Sequence, residues 1–254
     1  MKLTRVIASI AISSAMGTMS GCTGPAFESA PTDTDDVTEA KDRLVDSKSV
    51  AIISPDDAEA ETGKTYGEWS AKWWKVMLAI PIDTNPTFDT TGANCGFGET
   101  ADMFFLAGEG SGTAVTRTCT VPATKPLFFP IINVECSNVE KAPFRGKDDE
   151  ARAACAAHFA DDIGINTLKV TLDGGDVHNL HRFRAASPPF DFTMPKNDNI
   201  LFVPGKTSGR SASDGYWVML ELPPGDHELH FEGAFTKGPG AGFFQDVTYH
   251  LTVQ

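Results

Sequence analysis

The residues best suited to chemistry in this chain are four histidines and one carboxylate. His178 and His181 flank Asn179-Leu180 just beyond the turn-forming Asp173-Gly174-Gly175. His230 and His250 each sit between apolar neighbours, Leu229 and Phe231 in one case, Tyr249 and Leu251 in the other, which puts both on the polar face of a strand. Pairing of those strands in a suitable register would bring two imidazoles together across a sheet. Imidazole suits zinc and copper, so His178, His181, His230 and His250, with Glu228 or Glu232, form the candidate metal set. The plainer expectation is that they are ordinary surface and turn histidines in a chain without a cofactor. Glu135 stands beside Cys136 at the end of an apolar run, where burial would raise its pKa and a nearby Arg182 or Arg184 would lower it. A hydrolase or carbohydrate-active site would need Glu135, His178, His181 and Arg184 to converge on one cleft; a structural salt bridge is the simpler role for Glu135.

Several catalytic motifs are missing from the sequence. Gly110 directly precedes Ser111, so there is no G-x-S-x-G, and neither Gly63-Lys64-Thr65 nor Gly205-Lys206-Thr207 has the earlier glycine of a phosphate loop. H-E-x-x-H does not occur. A formal charge of −13 argues against nucleic acid as a partner.

The five cysteines divide into one and four. Lys2 and Arg5 form a positive segment, Val6 to Met19 a weakly apolar one, and Met19-Ser20-Gly21 places small residues directly before Cys22. This stretch resembles the precursors cleaved by lipoprotein signal peptidase, with residues 1–21 as the signal and Cys22 as the lipidated first residue of the mature chain. That resemblance implies an exported protein held by a lipid anchor, and Thr23 in place of Asp implies the outer membrane. Cys95, Cys119, Cys136 and Cys155 are an even set in an exported chain and favour disulfides, for which three connectivities are open. The sequential pairing is expected because each pair closes a loop about a local unit. A four-thiolate zinc site would want a C-x-x-C pair, which is lacking.

Chemistry on these residues depends on the elements that place them. Between Thr23 and Lys64 the chain has 11 Asp or Glu against 4 Lys or Arg, with prolines and scattered apolar residues, and residues 22–64 read as a lipidated cysteine and flexible acidic tether. Residues 65–254 suit a single domain. Thr65 and Glu68 have capping-box spacing, and Tyr66, Trp69, Trp73, Met77 and Ile80 recur at helical intervals until Pro81, with Trp74 at the edge of the stripe. Such a stripe is either a core face or an aromatic platform for a sugar or lipid. Candidate strands follow at 102–107, 114–121 and 125–134. A helix is expected from Asp148 or Asp149 to Ile163, ended by Gly164, with Ala151, Ala154 and Cys155 as its close-packing face. Further strands are expected at 167–172, 190–194, 216–222, 227–233 and 246–253, with Pro223-Pro224-Gly225-Asp226 as a hairpin turn. The pattern predicts a mainly β fold: an antiparallel β-sandwich, with a jelly roll as one form, and two helices packed on it.

Tyr66 to Trp74, Cys119-Thr120-Val121-Pro122, Phe128 to Asn133, Glu135-Cys136 and Asp214-Gly215-Tyr216-Trp217 resemble segments of a group of bacterial exported proteins to which no activity is assigned. The resemblance implies one exported domain and supplies no catalytic residues. Three functions remain as expectations: a sandwich that binds a ligand or envelope partner, with Trp217 as its contact residue; a secreted hydrolase; or a structural envelope component.

Overall fold

The computed structural model describes residues 50–254. The expected signal segment, Cys22 and the expected tether up to residue 49 lie outside the described residues. In chain order the elements are β1 (Ala51–Ile53), α1 (Ala58–Thr62), α2 (Tyr66–Ala79), β2 (Phe104–Phe105), β3 (Ala114–Val121), β4 (Leu127–Ser137), α3 (Asp149–Ala160), β5 (Lys169–Leu172), β6 (Gly175–Asp176), β7 (Phe190–Thr193), β8 (Ser208–Glu221), β9 (Gly225–Ala234) and β10 (Phe244–Val253). No helix among the described residues is long and apolar enough to cross a membrane.

The fold is β-rich with helices. One sheet runs β1-β8-β4-β2, with β7 also paired to β8, and the other runs β3-β10-β9-β5-β6. The two share one core: Phe129 of β4 stacks on Phe231 of β9 at 4.8 Å. Two features differ from the sequence expectation. β2 pairs with β4, and β3 with β10, in parallel, so both sheets are mixed and the strictly antiparallel jelly roll does not apply. Pro223-Pro224-Gly225-Asp226 is not a hairpin turn within a sheet; β8 belongs to the first sheet and β9 to the second. Two successive prolines remove two N–H donors, which suits a crossing between sheets better than a ladder.

Helix α2 forms where the spacing predicts it. The Thr65 hydroxyl accepts from the Glu68 backbone N–H, and the Glu68 carboxylate accepts from the Thr65 N–H at 2.9 Å, satisfying two donors that a helix start leaves free. Its aromatic stripe is core. Tyr66 donates to the Ile53 carbonyl at 2.6 Å and accepts from the Met219 N–H at 2.9 Å; Trp69 donates to Thr62 and Trp73 to the Leu106 carbonyl. These contacts also correct the domain boundary. β1 pairs with β8, and α1 supplies the acceptor for Trp69, so the ordered domain already includes residues 51–64.

Trp217, the expected ligand contact, is 0% exposed, stacked on Phe128 at 5.2 Å and edge-on to Trp73 at 5.5 Å. Strand β8 is buried on both faces from Ser211 to Leu220, so its alternation marks no solvent side.

Helix α3 is capped by Asp148, whose carboxylate accepts from the Ala151 N–H at 2.8 Å. It ends at Ala160, before Gly164, whose φ of −76° is not left-handed. Its buried residues are Arg152, Ala156, Phe159 and Ala160, while Ala154 is exposed. Disulfides join Cys95 to Cys119 and Cys136 to Cys155, the second tying β4 to α3.

Candidate functional site

The structure does not bring the expected metal ligands together. His178 and His181 are exposed. Register decides the other two: His230 lies opposite Thr248 and His250 opposite Glu228, so the imidazoles are diagonal neighbours that turn to different carboxylates. His230 Nε2 is 3.0 Å from Asp246, and His250 Nδ1 is 3.7 Å from Glu228. Among the described residues no group of three or more His, Cys, Asp or Glu is arranged to hold a metal ion. His227, which sequence reasoning passed over, has a structural part: its ring nitrogens lie 2.7 Å from Asp173 and 3.0 Å from the Pro223 carbonyl, linking the β5–β6 turn to the crossover.

The proposed catalytic convergence is also not formed. Arg184 pairs with Asp214 at 2.8 Å and Asp161 at 2.7 Å, which holds its guanidinium charged, and Arg182 reaches Asp56 at 3.4 Å. Glu135 is buried elsewhere, accepting from the Ser211 hydroxyl and lying against Glu140. Burial pushes its carboxyl well up, and the charge of Glu140 adds to the shift. Neither arginine is its partner.

A half-open concave site lies between the C-terminal half of α2, the loop 107–111 and the segment 200–203. It is a cleft of about 210 Å³ whose walls include Trp73, Trp74, Phe88, Phe202 and Phe243. Trp74 reaches it from the edge of the helix stripe, its ring perpendicular to that of Trp73 at 5.1 Å. The loop is held from beneath by Arg117, which is 1% exposed and donates to the carbonyls of Ala107 at 2.9 Å, Gly108 at 3.1 Å and Asp89 at 2.6 Å. The Glu109 carboxylate turns inward to accept from the backbone N–H groups of Ser111 and Thr113. A Cβ on Gly108 would stand 2.0 Å from Gln245 Oε1, so any larger residue there would push the Gln245 amide aside.

Phe202 forms the rim. It has a φ of 55°, an uncommon and strained conformation for a bulky side chain. Asn199 holds the segment in place by accepting from the Val203 N–H and donating to the carbonyls of Pro195 and Val203. The result keeps Phe202 68% exposed, edge-on to Phe88 at 6.1 Å.

The polar side chains in the cleft wall include Thr87, Glu109, Asn133 and Gln245. The indole N–H of Trp74 and the amide nitrogen of Asn133 are buried without a hydrogen-bond partner among the described residues. Gln245, 6% exposed, uses its amide oxygen to accept from the Glu109 N–H. Among the described residues no lysine or arginine lines the cleft. None of Glu135, His178, His181 and Arg184 does so either. A wider groove of about 650 Å³ contains Arg210, but Asp149 and Asp191 already hold that guanidinium at 2.7 to 2.9 Å. Of the cleft residues, Trp74 and Asn133 were visible as parts of motifs, but Phe202 and Gln245 carry no sequence signal.

No family model matches the chain, and no curated protein matches it. Among solved structures, the solution structure of Amebosin aligns at 9% identity with a TM-score of 0.19, over 61% of this chain and 100% of that one, too slight a likeness to bear on fold or function.

The Glu135 pair gives a pH prediction. A carboxyl with a raised folded pKa binds its proton more tightly in the folded state, so its contribution is greatest in acid and is lost as pH rises from the unfolded value near 4 through the folded one. Glu135→Gln, which cannot ionise, should therefore gain stability relative to the wild type as pH rises from 5 to 8, measured by urea unfolding. A difference independent of pH would contradict the assignment.

Proposed function

We propose that this chain is an exported protein, anchored through lipid on Cys22 to the outer membrane, whose domain binds a small ligand in the Trp74–Asn133–Phe202 cleft. One observation carries the binding reading: an aromatic cleft is rimmed by a strained phenylalanine held 68% exposed. Support for export comes from the signal-like segment before Cys22 and from two disulfides, which form and persist in oxidising compartments. Acyl chains hold a membrane by apolar transfer of about 0.8 kcal/mol per buried methylene, and more than one chain is needed for firm anchoring.

Two experiments test this. Cys22→Ser with the signal still cleaved should move the chain from the membrane to the soluble fraction; retention on membranes would contradict the anchor. For the cleft, a panel of small sugars, peptides and amides should contain compounds that raise the thermal midpoint of the wild-type chain, since a ligand at 100 times its Kd contributes about 2.7 kcal/mol. Phe202→Ala should lose that shift while melting close to the wild type on its own, because the ring is mostly exposed. No shift from any compound, or equal shifts in the variant, would sink the reading.

A further inference from the structure

The rings around the cleft stand in two perpendicular pairs. Trp74 meets Trp73 at 87° with centroids 5.1 Å apart, and Phe202 meets Phe88 at 84° and 6.1 Å. Phe243 completes an aromatic wall around a volume of about 210 Å³, below the range of roughly 300 to 1,000 Å³ typical of drug-sized pockets, so the occupant is small. Trp73 is buried and backs the cleft. Trp74, Phe88 and Phe243 are half-buried and Phe202 is exposed, so four of the five residues keep accessible surface. The indole nitrogen of Trp74 is itself buried, and any surface its ring offers is carbon.

Hydrogen-bonding groups in the wall are already engaged. Thr87 Oγ1 donates to Asn85 at 2.7 Å, the Glu109 carboxylate accepts from the backbone N–H groups of Ser111 and Thr113, and Gln245 Oε1 accepts from the Glu109 N–H. A ligand carrying several N–H or O–H donors would find few free acceptors there. Charge is one-sided: a carboxylate stands in the wall, no lysine or arginine lines the cleft among the described residues, and the chain carries −13. Lys196 and Lys206, exposed on the loop that carries Phe202, stand outside the lining. Anions are therefore disfavoured, and a neutral apolar compound would gain nothing from this field. Aromatic faces attract a cation through their ring quadrupoles, and a cation without N–H groups needs no acceptor.

We infer that the cleft is an aromatic cage for a small quaternary ammonium compound, whose methyl groups lie against Trp74, Phe88, Phe202 and Phe243. This rests on the reading of the cleft as the ligand site.

Three probes of nearly the same size separate charge from shape. Choline carries the quaternary nitrogen; 3,3-dimethylbutan-1-ol has its shape without the charge; ethanolamine has the charge on a primary ammonium. In calorimetric titrations of the full chain, choline should bind saturably at one site, and the other two at least tenfold more weakly. Phe202→Ala should weaken choline binding at least tenfold, while Phe202→Tyr, which keeps the ring, should retain it; the exposure of Phe202 lets both variants fold. Equal binding of choline and its neutral isostere would overturn the cation assignment and leave an apolar cleft. Choline binding that survives Phe202→Ala undiminished would place the site elsewhere and overturn the cage. If choline does not bind but a compound of the thermal-shift panel does, and Phe202→Ala abolishes that shift, the ligand class is wrong and the cleft stands. If choline does not bind and the panel is also silent, the cleft reading falls with it.

Discussion

The aromatic seam between α2 and the first sheet is the contact on which the rest of the domain depends. Trp73 lies edge-on to Trp217, Trp217 stacks on Phe128, and Phe128 meets the edge of Tyr66 at 5.3 Å. Each ring brings a large apolar area, and each well-oriented pair adds about 0.5 to 1.5 kcal/mol. The seam is also anchored by polar atoms, since Tyr66 bridges Ile53 to Met219 and Trp73 holds the Leu106 carbonyl. A single helix thereby fixes β1, β8 and the approach to the loop 107–111.

The cleft is a consequence of that seam. Trp73 must face inward to meet Trp217, and the helical step of about 100° then carries Trp74 to the margin of the buried stripe, where its indole N–H finds no acceptor among the described residues. Opposite it, Arg117 and Tyr249 fix the loop carbonyls from below: Arg117 Nη1 is 2.8 Å from the Tyr249 hydroxyl, which itself donates to Ala107 at 2.9 Å. Parallel pairing of β3 with β10 places those two side chains opposite one another, Tyr249 against Arg117 in register. The departure from an all-antiparallel sandwich is therefore what gives the cleft its rigid floor.

Local patterns in the sequence were sufficient for α2, its capping box, β3 and the alternation of β10, because each is set by residues a few positions apart. Pairing partners were not legible. Nothing near Pro223-Pro224 says that β9 leaves the sheet of β8, and nothing near Val115 says that its neighbour is the C-terminal strand. Trp217 shows the same limit: alternation predicts an outward side chain only when one face of the strand is solvated, and β8 is covered on both. The histidines were legible as residue types, but their register against β10 separates them. The cleft was half visible, through Trp74 and Asn133, whereas Phe202 enters it by a backbone conformation that no side-chain pattern encodes.

A double-mutant cycle on Trp73 and Trp217 tests the seam most directly. Trp73→Leu and Trp217→Leu, alone and together, would be compared by urea unfolding of the full chain. A favourable coupling of about 0.5 to 1.5 kcal/mol is the expected result for an edge-to-face aromatic pair. Effects that add with no coupling beyond about 0.3 kcal/mol would contradict the claim that the contact between these two rings joins the helix to the sheet.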